Sequence, residues 1–316
     1  MKVSKRDYIS SVWRDGIFDD RVVFCTGGAG TIGSAQVCAL VHLGANACIV
    51  GRNVEKTQQM AVEIGTARPG SRVLGIGGVD VRNLQSLEKA VERCVGELGG
   101  IDYVIAGAAG NFLAPISGLS SNAFQTVVNI DLIGSFNTFK ATADHLIKSA
   151  SKNPNPSSTT GGRIVFMSTT FHYAGMPFQA HVSSAKAGVD ALSASLALEY
   201  GPRGINSNVI SPGGIGNTEG LERLSSKATR DTGEAGSGVP LGRYGVVREI
   251  SDATVYLFAE TGNYVNGHVL VVDGGAWRMP ELVGSSGGMK YPDIVLRDFK
   301  PAPDIKTGRE TPKPKM

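Results

Sequence analysis

The sequence predicts one doubly wound, Rossmann-type α/β domain with a seven-stranded parallel sheet flanked by helices. Three observations carry this reading. Short, continuously apolar segments recur seven times and alternate with segments of helical periodicity, the pattern of a parallel sheet covered on both faces. The alternation runs unbroken from about residue 21 to 276, which favours one domain over two. A glycine cluster stands between the first strand and the first helix, where this architecture binds ligands.

In chain order, residues 1–20 read as an N-terminal lead-in and 21–278 as the domain. The expected strands are 21–26, 47–50, 72–76, 103–106, 163–167, 206–210 and 268–272, each short and apolar. The expected helices are 31–43, 54–66, 84–98, one long helix over 123–149, 181–200 and 248–258. Segment 151–162 (SKNPNPSSTTGG) is a surface loop. Segment 217–238 is polar and Gly-rich and is expected to form a substrate lid. Residues 279–316 form a C-terminal extension without strong periodicity.

Composition excludes several classes. The 316 residues carry 31 Lys+Arg against 28 Asp+Glu, a formal net charge of +3, so no nucleic-acid surface is expected. Mean hydropathy is near zero, and no apolar run reaches about 18 residues, which excludes a transmembrane helix. The opening Met1-Lys2-Val3-Ser4-Lys5-Arg6-Asp7 lacks an apolar signal segment. Cys25, Cys38, Cys48 and Cys94 have no metal-ligand spacing and sit in apolar runs. They read as reduced core thiols, and no metal is expected. The unusual count is 42 Gly, about 13% against an average near 7%.

Much of that glycine marks one edge of the sheet. Thr26-Gly27-Gly28-Ala29-Gly30-Thr31-Ile32-Gly33 joins the first strand to the first helix. Gly28, Gly30 and Gly33 satisfy GxGxxG in the strand–turn–helix context that gives the motif meaning. Glycine there permits a tight turn, close approach to a pyrophosphate and helix-on-strand packing, and the helix N-terminus offers N–H groups to phosphate. The second strand ends in Val50-Gly51-Arg52-Asn53. An acidic residue suits a free 2′-hydroxyl at this place and a cation suits a 2′-phosphate, so Arg52 points to NADPH/NADP. Asp80 is placed to accept from the adenine amino group or to cap its own turn. After the fourth strand, Gly107-Ala108-Ala109-Gly110 lets a ligand approach the backbone closely.

At these residues the chain resembles the short-chain dehydrogenase/reductase family, over about Arg21 to Trp277. The glycine loop, Asp80, Ala108-Ala109-Gly110, Lys186, Ser211-Pro212-Gly213 and Asp273-Gly274-Gly275 stand in the expected order. The resemblance implies a nicotinamide cofactor and a homo-oligomer, tetramer or dimer, built on the helices beginning near Ala123 and His181. It also implies that Lys186 holds the nicotinamide ribose, and that Pro212, Gly213, Ile215 and Thr218 border the carboxamide and diphosphate. Four positions depart from the family pattern. Thr31 replaces the middle glycine of TGxxxGxG. Val182 replaces the Tyr of YxxxK. Asp131 replaces the usual Asn, and Thr169 the usual Ser.

An aliphatic Val182 cannot donate a proton to a carbonyl oxygen, so carbonyl reduction is impaired. Reduction of a conjugated C=C has a different demand. Hydride adds to the far end of a dienoyl thioester, charge collects on the thioester oxygen, and a proton must then reach carbon. The remaining segments resemble the peroxisomal 2,4-dienoyl-CoA reductase branch. They are Gly107-Ala108-Ala109-Gly110-Asn111-Phe112-Leu113-Ala114-Pro115, Ile130-Asp131-Leu132-Ile133-Gly134-Ser135-Phe136 and His181-Val182-Ser183-Ser184-Ala185-Lys186-Ala187-Gly188-Val189-Asp190-Ala191. Gly216-Asn217-Thr218-Glu219-Gly220-Leu221 and Val272-Asp273-Gly274-Gly275-Ala276-Trp277 complete the set. That branch implies a fatty acyl-CoA substrate with double bonds at carbons 2 and 4, reduced with NADPH to the 3-enoyl-CoA in unsaturated fatty-acid β-oxidation.

Within this reading Asp131 is the first choice for acid–base work, since burial can raise a carboxyl pKa enough to donate. Asp273 either holds a proton-delivering water or caps the turn before Gly274-Gly275. Asn111 and Phe112 are placed to orient the thioester, and Thr169, His172, Tyr173 and His181 to line the substrate side. Leu221 and Leu224 are expected to cover the acyl chain. The terminal Pro314-Lys315-Met316 resembles a degenerate address for a peroxisomal import receptor, or is an ordinary basic tail. Without that address a cytoplasmic place is expected. Two other functions stay open: a carbonyl reductase or alcohol dehydrogenase using Tyr173 as acid, and a non-catalytic NADPH-binding sensor.

Overall fold

The structure, a computed structural model, describes residues 4–153, 161–224 and 239–279. The expectations for most of segment 217–238, for the side chain of Leu224 and for the C-terminal extension with Pro314-Lys315-Met316 lie outside the described residues. Seven strands form one all-parallel sheet: β1 (Val22–Thr26), β2 (Asn46–Val50), β3 (Val73–Ile76), β4 (Tyr103–Ala106), β5 (Arg163–Met167), β6 (Asn206–Pro212) and β7 (Val269–Val272). Their order is β3-β2-β1-β4-β5-β6-β7. The strand order reverses at β1, so the carboxyl ends of β1 and β4 open a crevice at the switch point. Register places Thr26 beside Val50 and Ala106, which brings the ends of the first, second and fourth strands level.

The helices are α1 (Lys5–Tyr8), α2 (Thr31–His42), α3 (Val54–Gly65), α4 (Leu84–Leu98), α5 (Ser121–Val128), α6 (Gly134–Lys152), α7 (Phe171–Ala174), α8 (Ala180–Tyr200), α9 (Glu219–Leu224) and α10 (Val247–Phe258). Each sheet face has its own core. On one, Val23, Cys25, Ile49 and Ile105 meet Val37, Leu40 and Val41 of α2 and Ile250 and Phe258 of α10. On the other, Phe24, Val50, Val104 and Phe166 meet Leu87 and Val91 of α4, Phe139 and Leu146 of α6 and Val189 of α8. All four cysteines are buried free thiols.

Three expectations change. The lead-in is part of the packed domain: Ile9 and Phe18 are buried, and Trp13 Nε1 donates to Asp252 of α10 (2.8 Å). Two isolated apolar residues give no periodic signal, so the sequence did not display this docking. β6 runs two residues further than expected, through Ser211 to Pro212, paired with Val271 and Val272. The expected long helix runs without a gap from Ser121 to Lys152 but is not α-helical throughout: a π-helical turn over Asn129–Ile133 joins α5 to α6. Such turns insert a residue into an α-helix and recur at functional sites. This one carries Asp131, and Gly134 follows because a Cβ there would stand 2.6 Å from Val81 Cγ2.

Candidate active site

The crevice at the switch point is a cleft of about 800 Å³. Its floor is the glycine loop. Gly27 adopts φ +71°, and a Cβ there would lie 2.7 Å from Gly107 O, so only glycine lets β1 and β4 turn side by side. A Cβ on Gly28 would meet Ile49 at 2.6 Å and one on Gly33 would meet Gly27 O at 2.8 Å, whereas Gly30 has 3.3 Å. Thr26 Oγ1 accepts from Gly107 N (3.2 Å) and Ala108 N (3.4 Å), fastening the two loops together.

The start of α2 differs from its neighbours. Side chains of Asn53, Asn83 and Ser120 cap α3, α4 and α5. At α2 the N-cap is Gly30 and no side chain caps the helix. Its first N–H groups, at Thr31, Ile32 and Gly33, therefore face the cleft with the positive end of the helix dipole, an anion site. Arg52 and Lys56 stand at the mouth of the same cleft, with Asp80, Ala108, Ala109, Asn111 and Thr218 around it. Lys56 pairs with Glu219 of α9 across the opening, and Glu219 N approaches Thr31 Oγ1 at 3.5 Å. Lys56, Gly27 and Glu219 were not among the expected site residues. Lys56 was legible as a cation one helical turn after Arg52; the Glu219 contact is long-range and carried no local signal.

Asp80 lies in the cleft with its carboxylate engaged by Arg82, which holds its pKa below the usual range, chiefly through the side-chain hydrogen bond. Pro212, Gly213 and Ile215 do not line the cleft itself. They shape the adjoining end of β6, where Gly213 N donates to Val272 O (3.0 Å) and a Cβ on Gly213 would meet Asp273 Cβ at 2.6 Å. Thr218 Oγ1 donates to Ile215 O (2.9 Å).

Beyond the cleft stands a buried ion pair. Asp131 is 1% exposed, its Oδ1 accepts from Gly110 N (2.7 Å), and its Oδ2 lies 3.1 Å from Lys186 Nζ. The latter is a charge contact without hydrogen-bond alignment, and Lys186 Nζ donates to Met167 O (2.8 Å). The π-turn, the loop after β4 and α8 thus bring together residues 55 positions apart in sequence. Val182, one turn before Lys186, is buried and supplies no proton.

On the substrate side, His181 Nε2 donates to Phe112 O (3.0 Å) and the two rings stack at 4.4 Å. Asn111 Oδ1 is buried without a partner among the described residues. Thr169 Oγ1 accepts from Phe171 N (3.3 Å). Asp273 Oδ1 and Oδ2 accept from Gly275 N (2.8 Å) and Trp277 N (2.7 Å), the turn-capping geometry. Tyr173 Oη donates to Asp190 (3.0 Å). Burial, then the Asp190 charge, pushes its pKa up to about 12, which makes it a poor acid near neutral pH. Among the described residues no group of three metal-ligating side chains converges, and no helix is long and apolar enough to cross a membrane.

Comparison with known proteins places this geometry. A family described as enoyl-(acyl carrier protein) reductase matches residues 27–276. The peroxisomal 2,4-dienoyl-CoA reductase of Saccharomyces cerevisiae is 49% identical over 288 residues, 91% of this chain and 93% of that one. The peroxisomal 2,4-dienoyl-CoA reductase of Danio rerio is 39% identical, over 84% of each chain. Among solved structures, a short-chain dehydrogenase from Bacillus anthracis aligns with TM-score 0.72 at 33% identity over 84% of this chain and 99% of that one. Levodione reductase aligns with TM-score 0.75 at 27% identity over 83% and 100%. The chain belongs to the short-chain dehydrogenase/reductase family, within its enoyl-(acyl carrier protein) reductase-like group.

Proposed function

We propose that this protein is an NADPH-dependent 2,4-dienoyl-CoA reductase that forms 3-enoyl-CoA in the β-oxidation of unsaturated fatty acids. The observation that carries it is the buried Asp131–Lys186 pair standing where Val182 supplies no acid. A carbonyl reductase needs a donor at the carbonyl oxygen, and a conjugated C=C reductase needs a proton at carbon. The dienoyl-CoA reductase names of the relatives support the same substrate.

The cleft suits a dinucleotide: its floor has no room for a Cβ at Gly27, Gly28 or Gly33, and α2 leaves its first N–H groups uncapped. Those N–H groups would hold the diphosphate with Thr218 and the β6 end, and Arg52 with Lys56 the 2′-phosphate. Asp80 would meet the adenine, and Lys186 the nicotinamide ribose. When bound, NADPH supplies the hydride for the distal diene carbon. Asn111, with its unpartnered Oδ1, Phe112 and His181 orient the thioester. The Asp131–Lys186 pair holds one transferable proton, and Asp131, directly or through a water, delivers it to the α-carbon. Asp273 keeps lone pairs beyond its two turn bonds and can hold that water.

Peroxisomal residence and homo-oligomers built on α5, α6 and α8 belong to the same proposal. Ile133, Phe136 and Leu198, exposed along these elements, support the second part. The test is Asp131→Asn with 2,4-hexadienoyl-CoA. Turnover is expected to fall at least about 100-fold, the scale of a lost general acid, while NADPH still binds. Undiminished turnover would overturn the assignment.

A further inference from the structure

Lys186 is not the only ionisable side chain that α8 turns toward α7 and the carboxyl edge of the sheet. One helical turn later stands Asp190, with its side chain 14% exposed. Its Oδ2 accepts from two donors of α7, His172 Nε2 (2.8 Å) and Tyr173 Oη (3.0 Å). Its Oδ1 is buried without a partner among the described residues, as is His172 Nδ1. One carboxylate oxygen has lone pairs for both donors, so Asp190 ties the two adjacent side chains of α7 to α8 at a single point.

The contacts continue beyond the carboxylate. The Tyr173 ring lies 4.1 Å from the His172 ring and 5.2 Å from the Trp277 ring, and Trp277 N donates to Asp273 Oδ2 (2.7 Å). An unbroken series therefore runs from α8, one turn past Lys186, to the turn after β7. In the dienoyl-CoA reading it borders the substrate side. Among the described residues, none of His172, Tyr173, Asp190 and Trp277 lines the nucleotide cleft.

We propose that Asp190 is a positioning residue for the acyl thioester: by holding Tyr173 between His172 and Trp277, it fixes the rim that the substrate meets. This rests on the dienoyl-CoA reading above. The separation from the nucleotide cleft gives the claim a signature. Loss of Asp190 acts on thioester binding and not on NADPH binding, and it acts through Tyr173.

The experiment compares Asp190→Asn, Tyr173→Phe and the double variant with 2,4-hexadienoyl-CoA and NADPH. Each single variant is expected to raise KM for the thioester about tenfold and to leave the NADPH Kd within twofold. The double variant is expected to match the worse single one, because both cut the same link. In a Trp13→Phe background, Trp277 emission is expected to shift in Asp190→Asn and to return in part in Asp190→Glu. Unchanged KM and emission, multiplying losses in the double variant, or an equal loss of NADPH affinity would overturn the proposal. Should Asp190→Asn not fold, Tyr173→Phe removes only the hydroxyl that reaches Asp190 and carries the same KM expectation. Thioester binding to the NADP-loaded protein is followed in parallel by Trp277 emission. A wild-type protein that binds but does not reduce the thioester refutes the reaction; the positioning role then stands or falls on the binding loss.

Discussion

Replacing Lys186 by Met tests whether the Asp131–Lys186 contact is a charge pair on which the site depends. At an effective dielectric of about 20, unit charges 3.1 Å apart attract by about 5 kcal/mol. Much of that offsets the desolvation of two buried groups, so the net value of the pair is far smaller. Breaking it is another matter. Lys186→Met leaves a carboxylate that is 1% exposed with Gly110 N as its one remaining partner, a situation that costs about 3–5 kcal/mol. For a domain of this size, each kcal/mol lowers Tm by about 2–4 °C, so a fall of roughly 6–20 °C is expected in calorimetry without cofactor. Adding Asp131→Asn removes the stranded charge and should recover more than half of the loss at pH 7. A Lys186→Met protein melting at the wild-type temperature, or a double variant no better than the single, would refute the reasoning.

Three further outcomes are expected. Arg52→Asp should weaken NADPH by about 10–150-fold, the scale of a lost charge-assisted hydrogen bond of about 1.5–3 kcal/mol, and leave NADH within a few fold; equal losses in a binding titration would remove Arg52 from the 2′-phosphate. Gly33→Ala, whose Cβ meets backbone at 2.8 Å, should cost about 1–3 kcal/mol and lower NADPH affinity, while Gly30→Ala, with 3.3 Å, should cost clearly less in denaturant unfolding. Arg82→Ala should remove the contact that lowers the Asp80 pKa. That contribution is present above the ordinary carboxylate pKa and is lost as pH falls through the folded one. The variant's deficit, under about 1 kcal/mol for so exposed a pair, should therefore be visible at pH 7 and vanish in strong acid.

The sheet was legible because most strands are short, largely apolar runs, as burial on both faces requires; β6, with Asn206, Ser207 and Asn208 before Val209 and Ile210, carried the weakest signal. The glycine loop was legible because close approach admits no other residue type, as Gly28 and Gly33 show. The π-turn in the long helix was not: Asn129 to Ile133 reads as ordinary helix, and what marks the turn is tertiary, Gly110 N on Asp131 and the close approach of Val81 that leaves no room for a Cβ at Gly134. The Asp131–Lys186 pair was half legible, since each residue stood out alone and only folding joins them. The same holds for Asp190. Its place one turn after Lys186 is written in the sequence, but its partners His172 and Tyr173 come from a four-residue helix that no periodicity announces.

The central claim is that the Val182 site reduces a conjugated C=C and not a carbonyl. Steady-state NADPH oxidation by the purified protein, with 2,4-hexadienoyl-CoA set against 3-oxoacyl-CoA and simple ketones and the products identified by mass spectrometry and NMR, tests it most directly. The account predicts turnover of the dienoyl thioester alone, with the 3-enoyl-CoA as product. Turnover of a ketone or 3-oxoacyl thioester, with none of the dienoyl-CoA, would contradict it.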